Sequence, residues 1–187
     1  MKPLVVTVAL VAMVSSCVSS VEPEAPTRED LAARRGQMLI WLAEYREQSS
    51  FPRNRVQPGK VNIFIDENNH YCAVANLMRL DGHDGLVRQT ARHNNFIRLA
   101  DVHNGPLYDW MLSSGLNQEE IAFIQEPYFM EEPEVRWEEQ EDQRLKDHFT
   151  RVDRELRSNT TASLDTATSR LAEQAVRRAQ ERLAQAR

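Results

Sequence analysis

Cys72 is the side chain best suited to covalent chemistry, and His70, His83, His93, His103 and Asp101 lie near it along the chain. If a helix begins at Cys72, the backbone N–H groups and dipole at that end stabilise a thiolate and lower its pKa. His103, two residues from Asp101, then offers a base and a group to orient it. That is the Cys–His arrangement of acyl transfer, with redox use of the thiol as its variant. Against it, four histidines permit many accidental pairings, and no glycine-rich nucleophile elbow is present. A small apolar cysteine packed with Val74 and Leu77 accounts for the same residues. The expectation is a core cysteine and no catalytic residue, with Cys72, His103 and Asp101 as the enzymatic alternative.

Metal chemistry is weaker still. His70-x-Cys72 supplies two ligands and His83 or His93 could complete three, but no histidine pair has helical i, i+4 spacing and no CxxC is present. Residues 66–69 (DENN) hold oxygen ligands without the glycine and distant bidentate glutamate of a calcium loop, so they read as a turn. Neither a metal nor a cofactor is expected. The 187 residues carry 28 acidic and 23 basic side chains, net −5. Nucleic acid is excluded as the default partner, because phosphate binding needs a basic face. Mean hydropathy of −0.57 excludes a chain that crosses the membrane many times. Two cysteines are too few for a disulfide scaffold.

The N-terminus is informative. Lys2 precedes an uncharged, mostly apolar run over residues 4–14, then Ser15, Ser16 and Cys17. As a helix that run rises only about 16 Å against a hydrocarbon core of about 30 Å, so it reads as a secretory signal rather than a span. Val14-Ser15-Ser16-Cys17 resembles the lipobox of bacterial lipoproteins. The resemblance implies cleavage after residue 16, lipid attachment at Cys17, and a membrane anchor of several acyl chains, enough for lasting attachment. Val18 stands where an aspartate would signal inner-membrane retention, which points to the periplasmic face of the outer membrane. Residues 17–27 are then a lipidated cysteine and a tether rich in Ser, Pro and Glu.

The elements that would position these groups are mostly helical. Thr27 with Asp30 makes an N-cap, and Leu31, Met38, Leu39, Leu42 and Tyr45 recur at helical spacing over residues 28–47. Residues 61–66 are β-branched and short, hence a strand; residues 96–100 are a second candidate strand. Between and after them, helices are expected from Cys72 to Leu80, over 86–93, from Gly105, and over 119–125 behind the Asn117–Glu120 capping box. Trp41 and Trp110 are expected in the core, whereas Trp137 lies among acids and could dock a partner. The compact unit is placed at 28–129. Residues 130–187 form a charged tail in which Leu145, Phe149, Val152 and Leu156 make a short seam, followed by an alanine-rich helix. The two tail helices could fold on each other, pair with an envelope partner, or fray. The fold class is mainly α with a minor β element.

Several pieces of the middle also resemble an uncharacterised module of bacterial secreted proteins and lipoproteins. They are residues 51–54 (FPRN), 64–66 (FID), 72–74 (CAV), Gly82, Asn94-Asn95, 114–116 (SGL), 119–120 (EE) and 124–128 (IQEPY). The resemblance covers residues 51–128. It departs where Tyr71 separates His70 from Cys72 and where Ala75 replaces a glycine. It implies a folded unit and carries no activity. The function expected from all this is a lipid-anchored, non-enzymatic envelope protein that binds or scaffolds; the alternative is a thiol hydrolase or redox enzyme at Cys72.

Overall fold

Thr27 starts the first helix with a complete capping box. The Asp30 N–H donates to Thr27 Oγ1 at 3.1 Å, and the Thr27 N–H donates to the Asp30 carboxylate at 2.9 Å. The computed structural model describes residues 26–132 and 136–186. Among them are α1 (Arg28–Gln48), β1 (Lys60–Val61), α2 (Ala73–Leu80), α3 (Asp84–His93), a 3₁₀ turn (Leu99–Asp101), α4 (Gly105–Ser113), α5 (Gln118–Ile124), β2 (Tyr128–Phe129), α6 (Trp137–Ser158) and α7 (Thr160–Gln185). The chain is mainly α with a minor β element, as its sequence predicts. Helix α5 opens on the second capping box, with the Glu120 N–H on Asn117 Oδ1 at 2.9 Å and the Asn117 N–H on the Glu120 carboxylate at 3.0 Å.

The sheet differs from expectation. Of the first predicted strand, 61–66, only Val61 lies in a strand, where Lys60 and Val61 pair antiparallel to Phe129 and Tyr128; Ile65 makes an isolated antiparallel bridge with Tyr71. Beyond Val61 the backbone turns to asparagine for its partners: the Phe64 N–H donates to the Asn95 carbonyl at 2.9 Å, and Ile65 exchanges two bonds with the Asn95 side-chain amide at 3.0 and 2.8 Å. The second predicted strand, 96–100, is a turn leading into the 3₁₀ segment. Side-chain amides replace the missing ladder there. Gln125 accepts from the Leu99 N–H at 2.8 Å and donates to the Ile97 carbonyl at 2.9 Å, while Gln118 reaches the Val102 carbonyl at 2.7 Å. A backbone whose groups are satisfied this way needs no neighbouring strand.

The core does not stop at residue 129. Met38, Leu42 and Tyr45 of α1 share one buried cluster with residues of α2, α4 and α5, and Leu145, Phe149, Val152 and Leu156 of α6 belong to it too. Phe149 stacks edge-on to Tyr45 at 5.3 Å and lies 5.7 Å from Phe51. The predicted seam is therefore a core face of α6. Nor do the two C-terminal helices fold on each other: α6 and α7 both dock on α1, and α7 continues across α4. Leu164 and Ala167 bury Leu31 in a second cluster, and Arg28 pairs with Asp165 at 3.0 Å. Both clusters close within residues 31–171, so the chain from Pro26 onward holds its whole described core. Trp110 is buried and Trp41 half-buried; Trp137 is half-buried too, with the Arg53 guanidinium 5.8 Å from its ring.

One turn fixes how closely α1 approaches. Gly115 has φ +81°, and a Cβ there would lie 2.2 Å from the Leu31 carbonyl oxygen and 2.7 Å from the Arg35 nitrogen. Gly115→Ala must therefore strain the turn and push α1 away. We expect a loss of about 3 kcal/mol in urea unfolding, against a negligible loss for alanine at Gly85, which has open space.

Candidate functional site

Cys72 is the N-cap of α2, as the sequence places it. Its Sγ accepts from the Ala75 N–H at 3.4 Å, yet the residue is only 2% exposed. Burial pushes the thiol up to about 12, and the helix N–H groups of Ala75 and Val74 recover only part of that shift. The dipole argument thus identifies the right position and loses to desolvation. His103 and Asp101 are exposed beside the 3₁₀ turn, where Asp101 faces Arg98 at 3.7 Å. The structure does not bring Cys72, His103 and Asp101 together.

The same burial sets two measurable properties. At neutral pH the thiolate fraction should be about a thousandfold below that of the unfolded chain, so iodoacetamide should label Cys72 only as the protein unfolds. Labelling at the rate of a free thiol under native conditions would contradict this. Burial also pushes the Tyr45 and Tyr128 hydroxyls well above their usual value. All three groups keep protons in the folded state that the unfolded state releases from about pH 9 upward. Their contribution to stability is complete below that point and is lost as pH rises through it. The urea midpoint should fall between pH 9 and 11; a flat profile would refute the assignment.

The other histidines are dispersed. His83 Nδ1 contacts the Asp81 carbonyl at 2.9 Å, and His93 is exposed at the end of α3. Among the described residues no group of three His, Cys, Asp or Glu side chains is placed to hold a metal. His70 makes an acid–base pair that the sequence did not suggest, and His148 a second, with its Nδ1 3.6 Å from the Glu126 carboxylate. Asp66, its side chain 2% exposed, accepts from the N–H groups of Arg53, Asn68 and His70 and sits 3.0 Å from His70 Nδ1. The buried carboxylate orients a part-exposed imidazole. The signal was Asp66-x-x-x-His70 closing a turn with Asn69 at φ +61°. Cys72, two residues beyond His70, is buried in the core.

A second feature arises only because α7 docks where it does. Between the 3₁₀ turn, α4, α5 and α7 lies a cavity of about 210 Å³. Leu112, Leu116, Ala122 and Ala167 form its apolar walls and Tyr108 is built into them; Glu119 and Arg170 stand at its exposed mouth. Gln118 supports it by tying the 3₁₀ turn to α5. Sequence gave no hint of it, since its walls lie as far apart as residues 100 and 170. Nearby, Arg35 is buried at 1% exposure against Glu120, with its two terminal nitrogens 2.8 and 2.7 Å from the carboxylate oxygens. This pair holds α1 to α5 and marks structure rather than chemistry.

No protein-family model, no curated protein and no solved structure matches this chain. Among the described residues no helix is long and apolar enough to cross a membrane. The expected lipobox at 14–17 and the apolar run before it lie outside the described residues.

Proposed function

We propose that this chain is a lipid-anchored protein of the bacterial envelope whose helical body binds another component instead of turning over a substrate. The observation that carries the reading is the lipobox itself: an apolar run too short to span, then Val14-Ser15-Ser16-Cys17. Lipid on Cys17 holds the protein at the periplasmic face of the outer membrane, with residues 18–27 as tether. What supports binding over thiol chemistry is the state of Cys72, enclosed and held protonated, with His103 and Asp101 out on the surface. The outer end of α7 is the part of the C-terminal region open to an envelope partner, since Val176 and Leu183 are exposed at 56% and 68%.

The test is processing. Globomycin, which blocks the lipoprotein signal peptidase, should leave a larger unprocessed form. Cys17→Ala should release the protein from the membrane fraction or stop its maturation. Normal processing with globomycin, or a Cys17→Ala protein still in the membrane fraction, would end the anchoring proposal.

A further inference from the structure

We propose that the cavity between α4, α5 and α7 is a binding site for a small uncharged molecule: a single apolar ring bearing one hydrogen-bonding group. Its size sets the first limit. About 210 Å³ exceeds the roughly 150 Å³ apolar cavity that accommodates benzene, and falls short of the 300–1,000 Å³ usual for drug-sized ligands. One ring with a substituent fills it. Leu112, Leu116, Ala122 and Ala167 provide apolar contact on the walls.

Tyr108 sets the second limit. It is 95% buried, being 5% exposed, and its hydroxyl makes no hydrogen bond among the described residues. Buried tyrosine hydroxyls ordinarily find a partner, as Tyr45 does on the Tyr71 carbonyl at 2.9 Å. Tyr108 is one of the residues lining this cavity, and its oxygen is not among the fully enclosed orphan atoms. A ligand group that donates to or accepts from that hydroxyl completes it.

The mouth sets the third. Glu119 has no ion-pair partner among the described residues, and Arg170 has only Glu173 at 3.9 Å. One charge of each sign flanks the opening, so the mouth carries no net charge to select an anion or a cation. The two remain exposed and keep their water, so neither compels a charged ligand. The inference assigns a ligand class to the binding role proposed above. It is independent of the anchor, which processing experiments test separately.

The experiment uses p-cresol and toluene as probes, titrated into ¹³C-methyl-labelled protein from Pro26 onward, which contains the whole described core. For p-cresol we expect saturable shifts in the methyls of Leu112, Leu116, Ala122 and Ala167. Tyr108→Phe should weaken p-cresol about tenfold and leave toluene within twofold, because only p-cresol loses a hydrogen bond. Ala122→Leu, at a half-buried wall position, should abolish both by filling the space. If p-cresol produces no saturable shifts, if they map away from these residues, or if Ala122→Leu binds normally, the site is wrong. Equal weakening of p-cresol and toluene by Tyr108→Phe would overturn the role given to its hydroxyl.

Discussion

A chain ended after Glu132 should not fold cooperatively. The cut removes Leu145, Phe149, Val152 and Leu156, each at most 1% exposed and each packed into the same cluster as Met38 and Leu42. Losing one such side chain to alanine costs about 2–5 kcal/mol, so four together, about 8–20 kcal/mol, are comparable to or larger than the roughly 5–15 kcal/mol that holds a domain of this size. The exposed face of α1 would also lose the ring of Phe149 against Tyr45 and Phe51. The measurement is a thermal melt followed by circular dichroism, comparing 26–132 with 26–187. The longer chain should melt in one transition. A sharp transition in the shorter one would show that the core closes without α6. A milder version is Phe149→Ala, which should cost about 3–5 kcal/mol where a surface change in the same helix costs almost nothing.

The second large effect is expected at Arg35. Its guanidinium donates to both Glu120 oxygens, to the Gly115 carbonyl at 3.2 Å, to Ser163 Oγ at 2.9 Å and to the Leu156 carbonyl. Ser163 Oγ donates in turn to Glu120. Arg35→Met leaves a buried carboxylate with hydroxyl and amide donors but no counter-charge, and should cost about 3–5 kcal/mol. Glu120→Leu should cost as much by stranding the cation. The double variant Arg35→Met with Glu120→Leu should be clearly less unstable than the sum of the two, since a buried ion pair replaced by apolar groups is often nearly neutral. Urea unfolding of the three proteins gives the answer. Strict additivity would mean the pair contributes nothing jointly.

These two sites show what sequence could and could not disclose. The helices were legible because their signals are local. Thr27 with Asp30, Asn117 with Glu120, and the stripe from Leu31 to Tyr45 each lie within one or a few turns. Cys72 was correctly placed at the head of α2, but its acidity was not legible, since that depends on how much protein closes over it. The strand at 61–66 shortened to Val61 with an isolated bridge at Ile65, and the candidate at 96–100 is not a strand: much of their backbone bonds to Asn95, Gln118 and Gln125, partners that a strand pattern does not reveal. The boundary near residue 129 failed because acidic residues after Met130 mask a four-residue apolar face that is core. Of the candidate site, Tyr108 and Ala167 were visible only as helix residues; the cavity they share is a product of docking.

The wiring of Arg35 also governs the order in which the molecule can be completed. Its partners lie 80, 85, 121 and 128 positions further along the chain. A polypeptide emerging N-terminus first, from a ribosome or through a translocation channel, carries this guanidinium in water until Ser163 has arrived. Before then, closing α1 against α5 would enclose a charge with unsatisfied donors, an unfavourable state. The N-terminal helix is thereby held open through most of synthesis, and the last helix to appear is the one that lets the first be sealed.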